Sequence, residues 1–314
     1  MEGFDMRILA SLMLVSLVLL VPQVSKSAWS NDPGTNVSVC DATGSQREVR
    51  TCSDGAGGMI VVWEDERNGA SNPLIYAQHI DVNGNYRWTR NGVRVCTASG
   101  AQEFPEVDTS LGGGAVVSWT DHRGASKAVY AQRLNSEGQR MWAHSGVAVA
   151  ASPGIDQAAT SIADNGLGGA IVAWQDTRSG TLDVYVQKLD SLGNLQWGVS
   201  GTAVMTSGFH EYGPEIVSDG AGGIVLAWVS MTPTDSNIIS GRILSNGTLD
   251  WTRQVCTASG NQNSPKIIPD GSGGGIIAWK DERNGNDDIY IQHIEDDGSR
   301  LWDRIMLILS TKAF

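Results

Sequence analysis

The side chains best suited to ligand chemistry follow one another at positions 209–212, where a phenyl ring, an imidazole, a carboxylate and a phenol are consecutive. An aromatic face can stack on a sugar ring, while imidazole and carboxylate groups hydrogen-bond to its hydroxyls. Further along the chain, the stretch WVSMTPTDSN at residues 228–237 breaks a pattern that recurs in other repeats. Drift in a redundant repeat is the simpler alternative. If the two segments meet, we predict ligand contacts from Phe209, His210, Glu211, Tyr212, Thr232 and Asp235.

The pattern broken there is Trp-x-Asp-x-Arg, which occurs as WEDER, WTDHR, WQDTR and WKDER. At the end of a strand, residues two apart share a face, so each Asp and Arg can form a latch between a turn and its neighbour. A ring of carboxylates that binds sugars or cations is the functional alternative. Four equal copies favour the structural role, because a single catalytic centre needs only one.

Recognisable catalytic motifs are absent from the sequence. It contains no Gly-x-Ser-x-Gly, no His-Glu-x-x-His, no phosphate loop, no dinucleotide fingerprint and no Cys-x-x-Cys. Acids that depart from the repeat, such as Asp156 and Glu211, form no recognisable set. We therefore predict a protein that is not an enzyme, with no catalytic residues, no metal site and no cofactor.

The bulk charge and the N-terminal segment bear on partners and location. The net charge of −12 and pI near 4.8 argue against nucleic acid and anionic lipid as partners. Arg7 precedes an apolar run over 8–21, and small residues at Ser25 and Ser27 suit cleavage before Ala28. Residues 1–27 are thus predicted to be a signal peptide, with an uncleaved anchor as the alternative. The mature chain would be secreted, extracellular or periplasmic, with no membrane contact after cleavage.

Tryptophans reveal an internal repeat that accounts for all eleven of them. Each unit has a glycine pair, an apolar run such as GGAIVAW, a second run such as DVYVQKL and a turn leading to another Trp, which indicates consecutive antiparallel strands. Spacings of 51 to 59 residues suit a propeller blade. The first set is Trp63, Trp119, Trp174, Trp228 and Trp279. The second set is Trp29, Trp88, Trp142, Trp197, Trp251 and Trp302.

The repeat predicts an all-β fold, a β-propeller of about five four-stranded blades. We predict that residues 28–314 form a single propeller domain of five repeats of about 54 residues. A β-solenoid is the alternative. The first-set tryptophans should be buried between blades. Cys96 and Cys256 should stay unpaired and buried, which leaves Cys40–Cys52 as the only candidate bridge.

The unit GxIVAWxDxRxG…DIYxQ…G…W…VCTASG resembles the repeats of secreted bacterial β-propeller proteins, most of which have no known activity. The resemblance covers nearly all of the mature chain and implies an exported propeller, but no reaction. We expect a non-enzymatic binding or scaffold module for a glycan or an extracellular protein. The alternatives are a carbohydrate-active enzyme of glycoside hydrolase type that uses the central channel, and a purely structural repeat of a larger extracellular assembly.

Overall fold

The computed structural model describes residues 32–302. The predicted signal peptide, Trp29 and residues 303–314 lie outside this range. No helix within 32–302 has the length and apolar character needed to cross a membrane.

The described residues form nineteen β-strands in five antiparallel sheets, each made of consecutive strands. The all-β propeller prediction is confirmed. Blade one contains β1 (Gln46–Ser53), β2 (Met59–Asp65), β3 (Leu74–Ile80) and β4 (Val93–Arg94). Blade two contains β5 (Gln102–Ser110), β6 (Gly114–Asp121), β7 (Ala128–Leu134) and β8 (Val147–Ala150). Blade three contains β9 (Gln157–Asp164), β10 (Ala170–Asp176), β11 (Asp183–Leu189) and β12 (Thr202–Met205). Blade four contains β13 (His210–Ser218), β14 (Ile224–Met231), β15 (Ser236–Ile243) and β16 (Leu249–Cys256). Blade five contains β17 (Gln262–Pro269), β18 (Gly275–Asp281) and β19 (Asp288–Ile294).

The second strand of each blade is covered on both faces, as its continuous apolar run predicts. In blade three, Ile171 and Val172 point to opposite faces of the sheet and both are fully buried. Val172 and Trp174 pack against Val116 and Val129 of blade two, while Ile171 joins the core shared with blade four. Apolar clusters of this kind fill four successive interfaces between blades.

Four first-set tryptophans, Trp119, Trp174, Trp228 and Trp279, belong to these clusters between blades. Trp119, Trp174 and Trp228 are fully buried, and Trp63 and Trp279 are nearly so. The predicted burial is therefore confirmed.

Four second-set tryptophans, Trp88, Trp142, Trp197 and Trp251, lie against the turn of the next blade. Trp88 Nε1 donates a hydrogen bond to the Ser136 carbonyl oxygen at 2.8 Å. Gly138 in the same turn has φ +75°, and a Cβ there would lie 2.8 Å from the Trp88 ring. Gly193, Gly247 and Gly298 occupy the same turn position in the later blades and also have positive φ and a tryptophan ring close to the place of a Cβ. These glycines thus serve both a left-handed turn and close ring packing.

The first strands β1, β5, β9, β13 and β17 lie side by side around the propeller axis. Among the described residues, no further blade covers the face of β19 that carries Ile289 and Ile291. Ile289 and Ile291 of β19 are 72% and 55% exposed, whereas Val184 and Val186 at the same places in blade three are fully buried. Within residues 32–302, blade five has three strands where four were predicted.

All four cysteines are free thiols, so the Cys40–Cys52 bridge is not formed and the unpaired, buried state of Cys96 and Cys256 is confirmed. Cys96 Sγ accepts a hydrogen bond from Arg123 at 3.3 Å, and Cys40 Sγ accepts one from Arg67 at 3.4 Å. The repeated cysteine thus packs against the arginine of the next unit, which draws Cys40 away from Cys52.

Candidate functional site

The Trp-x-Asp-x-Arg motif forms a buried latch in four blades. In blade three, Trp174 Nε1 donates to Asp176 Oδ2 at 3.2 Å, and the Arg178 guanidinium pairs with the same carboxylate. That guanidinium lies over the Tyr185 ring, 4.0 Å from its centroid. Burial opposes ionisation of Asp176, but the hydrogen bonds from Arg178 and Gln157 outweigh it and lower its pKa. The other latches use Asp65 with Arg67, Asp121 with Arg123, and Asp281 with Arg283.

Blade four also has a buried carboxylate that accepts a hydrogen bond from its first-set tryptophan, but this carboxylate belongs to a different strand. Trp228 Nε1 donates to Glu211 Oε2 at 2.6 Å, and Ser230 Oγ donates to Glu211 Oε1 at 2.9 Å. Glu211 on β13 pairs with Ser230 on β14, just as Gln157 pairs with Asp176 in blade three. Blade four therefore has Glu in place of Gln on its first strand and Ser in place of Asp on its second strand. The carboxylate lies on the first strand here and on the second strand in blade three.

Glu211 consequently supports the blade instead of facing a ligand. Its side chain is fully buried and also accepts a hydrogen bond from Ser207 Oγ at 2.6 Å. Burial raises its pKa, although the bonds from Ser207, Ser230 and Trp228 oppose this. The predicted ligand contact at Glu211 is corrected accordingly: strand alternation exposes His210 and turns the next side chain inward.

The structure brings the two predicted segments together, since His210 pairs with Met231 across the β13–β14 ladder. Phe209 is 43% exposed. His210 is exposed and its Nδ1 accepts a hydrogen bond from the Leu182 backbone at 3.1 Å. Tyr212 is half-buried and its hydroxyl donates to Asn263 Oδ1 at 3.1 Å.

Two clefts lie on this side of blade four, and Thr232 lines both. One, of about 360 Å³, includes Phe209 and Ile239 in its walls. The other, of about 300 Å³, includes Tyr212 and Asp235. Thr232 Oγ1 donates to Asp235 Oδ1 at 2.6 Å, which holds the turn between the clefts.

A second group of polar side chains lies near the axis, on the first strands. Arg50 Nε donates to Glu106 Oε1 at 2.8 Å, which links blades one and two. The Lys266 ammonium pairs with the Glu215 carboxylate, which links blades five and four. The Glu106 and Glu215 side chains are each 29% exposed. Two carboxylates from different blades thus approach the axis, each beside a cation.

The pKa of Glu106 is raised by burial, and the Glu215 carboxylate raises it further, although Arg50 opposes the shift. A glutamate in this environment holds its proton to a higher pH than a solvated one. Carboxyl groups of this kind serve as general acids in enzymes.

Glu106 and Glu215 were not predicted from the sequence, because neither residue belongs to a motif. Both acids lie thirteen residues before the first-set Trp of their unit. The residue type at this position differs between units, whereas the residues around it recur. In the structure it pairs with the residue just before the Trp, as Glu106 with Ser118 and Glu215 with Ala227. Aligning the units on Trp would have shown this signal. The five residues there are Arg50, Glu106, Ser161, Glu215 and Lys266.

A backbone irregularity accompanies this position in every blade. The first strand shifts register just before it, and the residue two places earlier has positive φ, for example Phe104 at 53°. Such a bulge turns the following side chains and increases the local twist. We attribute the orientation of Glu106 and Glu215 to these bulges.

No protein-family model and no curated protein matches the chain. Solved structures with the same fold do. A protein of unknown function from Dyadobacter fermentans is similar over 84% of this chain and 82% of its own, with 9% identity and a TM-score of 0.51. An ulvan lyase bound to a GlcA–Rha3S saccharide is similar over 82% and 67%, with 11% identity and a TM-score of 0.53. An endo-arabinase from Bacteroides thetaiotaomicron covers 83% and 98%, with 12% identity and a TM-score of 0.45.

At these identities the similarity shows a shared propeller fold. The prediction that the chain is not an enzyme is contradicted and is corrected here, because an enzyme, the ulvan lyase, shares this fold. The sequence expectation had relied on missing motifs, yet acids contributed by separate blades leave no motif in a linear sequence.

Proposed function

We propose that this protein is a carbohydrate-active enzyme that hydrolyses a glycan at the propeller axis. The observation that carries the proposal is the approach of Glu106 and Glu215 to the axis from different blades, with a raised pKa at Glu106. Glycosidic bonds are cleaved by such a pair, one carboxyl giving a proton and the other staying ionised. The ulvan lyase, itself a propeller, is bound to a saccharide, which supports glycans as the ligand class.

In this scheme Glu106 donates its proton to the glycosidic oxygen as the bond from that oxygen to the anomeric carbon breaks. The Glu215 carboxylate, which pairs with the Lys266 ammonium, stabilises the positive charge that develops on the sugar ring. Water then adds to the anomeric carbon, and the proton it loses returns to Glu106. Arg50 holds the Glu106 carboxyl in place throughout.

We also propose that the protein acts outside the cell. Its apolar segment at 8–21 has the composition of a signal peptide.

The test uses the full chain with a panel of purified polysaccharides and measures new reducing ends. Glu106→Gln and Glu215→Gln should each lower the rate by about 10²–10⁴-fold on the substrate that is cleaved. The rate of the unmodified protein should fall with rising pH only above the usual glutamate pKa of about 4.3, because Glu106 stays protonated longer.

Glu103→Gln is the matched control, since Glu103 lies on the same strand, is equally exposed at 29%, and pairs with His122 away from the axis. It should keep full activity. Unchanged rates in both axial variants, or no cleavage of any polysaccharide by well-folded protein, would overturn the proposal.

A further inference from the structure

Blade four lacks the cation–ring stack that fills the same place in the other blades. In blade two, Arg123 lies over Tyr130, 3.7 Å from its centroid. Blade four has Thr232 at the arginine position and Ile239, paired with Trp228, at the tyrosine position. Both replacements are much smaller, so the blade has lost a guanidinium and a phenol ring from one spot.

The space left is the cleft of about 360 Å³, which we name the blade-four cleft. Its volume falls within the ~300–1,000 Å³ of small-molecule sites. The fold does not collapse into the space, because Glu211 and Ser230 keep Trp228 anchored beneath it. The cleft therefore includes the place where blade four lacks the guanidinium and the phenol ring of the other blades.

The walls of the cleft combine one exposed aromatic ring with hydroxyl and amide groups and with the guanidinium of Arg253. Phe209 and Met205 are apolar, while Ser207, Asn237 and Gln254 carry hydroxyl and amide groups. Within residues 32–302 the Gln254 side chain has no hydrogen-bond partner, so its amide is available to a ligand. An aromatic face beside amides and hydroxyls matches a pyranose ring, which has apolar C–H faces and a rim of hydroxyls.

From this geometry we infer that the blade-four cleft is a binding site for a sugar ring of a glycan, separate from the axial acids. The inference rests on the proposed function for the glycan class, but it does not require cleavage at Glu106. The axial residues that would cleave the chain belong to β5 and β13, whereas the cleft is formed by residues before β13 and on β14 to β16.

The experiment measures binding of full-length protein to a glycan array, followed by titration calorimetry with the oligosaccharides that bind. It is performed in the Glu106→Gln background, so that the glycan stays intact. Phe209→Ala should weaken binding by about tenfold or more. Thr232→Arg with Ile239→Tyr, which rebuilds the stack of the other blades, should abolish binding by filling the cleft.

Leu167→Ala is the control, because Leu167 is 72% exposed in the turn between β9 and β10, away from the cleft, and the variant should leave affinity unchanged. Gln254→Ala gives a second readout if the filled variant fails to fold, and it should also weaken binding. Affinity unaffected by both Phe209→Ala and Gln254→Ala would overturn the cleft assignment. That result is independent of the Glu106 rate measurements, so the two proposals fail separately.

Discussion

The exchange of Glu211 and Ser230 for the Gln and Asp of the other blades can be tested by reversing it. Glu211→Gln removes the carboxylate that accepts from Trp228 Nε1 and from two serine hydroxyls. Hydrogen bonds to a buried charge contribute ~1.5–3 kcal/mol, so the variant should lose about 2 kcal/mol of unfolding free energy. Ser230→Asp alone places a second carboxylate opposite the first and should also cost about 2 kcal/mol.

The double variant should recover most of this loss. It recreates the pair seen in blade three, where Gln157 Nε2 donates to Asp176 Oδ2 at 3.0 Å. The new Asp lacks an arginine partner, because Thr232 stands at that position, so we expect a residual cost of about 1 kcal/mol. The coupling between the two sites is then about 3 kcal/mol, near the upper end for residues in direct contact.

Urea denaturation of the four proteins measures this coupling from the midpoints and slopes. Glu137→Gln, an exposed glutamate in a turn, serves as control and should change stability by less than about 0.5 kcal/mol. If the double variant is as unstable as the two single costs added together, Glu211 does not stand in for the latch aspartate and the reasoning is wrong.

Two further predictions concern stability. Trp174→Ala should lower the unfolding free energy by about 3–5 kcal/mol, because it leaves a cavity between blades two and three. Trp197→Ala, which removes a half-buried ring, should lower it clearly less. Equal losses of unfolding free energy in denaturant titrations would contradict this. Burial opposes ionisation of Asp270, but bonds from His293 and Ser272 lower its pKa to about 2. Because the folded pKa lies below the unfolded value of about 3.9, this stabilisation is present above pH 4 and lost as pH falls to 2. Asp270→Asn should therefore lower the unfolding free energy at pH 7 by about 2 kcal/mol and reduce its dependence on pH between about 2 and 4. The same pH dependence in the variant as in the unmodified protein would contradict the prediction.

Much of the fold could be predicted because the same pattern of strands and tryptophans recurs in every repeat. Trp119 and Trp174 recur in the same context, and burial of one implies burial of the others. The departure of blade four was also visible, since Thr232 stands where arginine recurs. The direction of the Glu211 side chain could not be predicted from the sequence. Its neighbour His210 is exposed, and only the strand register shows which of the two side chains points inward.

The sequence by itself determined the repeat, the strand order within each blade and the residues that fill the blade interfaces, because these depend on local alternation and on a short period. Tertiary structure alone decided which acids meet. Glu106 and Glu215 are 109 residues apart, and they approach each other through the rotation between blades and the bulge ahead of each one. Tertiary structure also decided that the small residues of blade four leave a cleft. A missing side chain becomes a binding site only where the surrounding residues keep their places, as Trp228 and Glu211 do here.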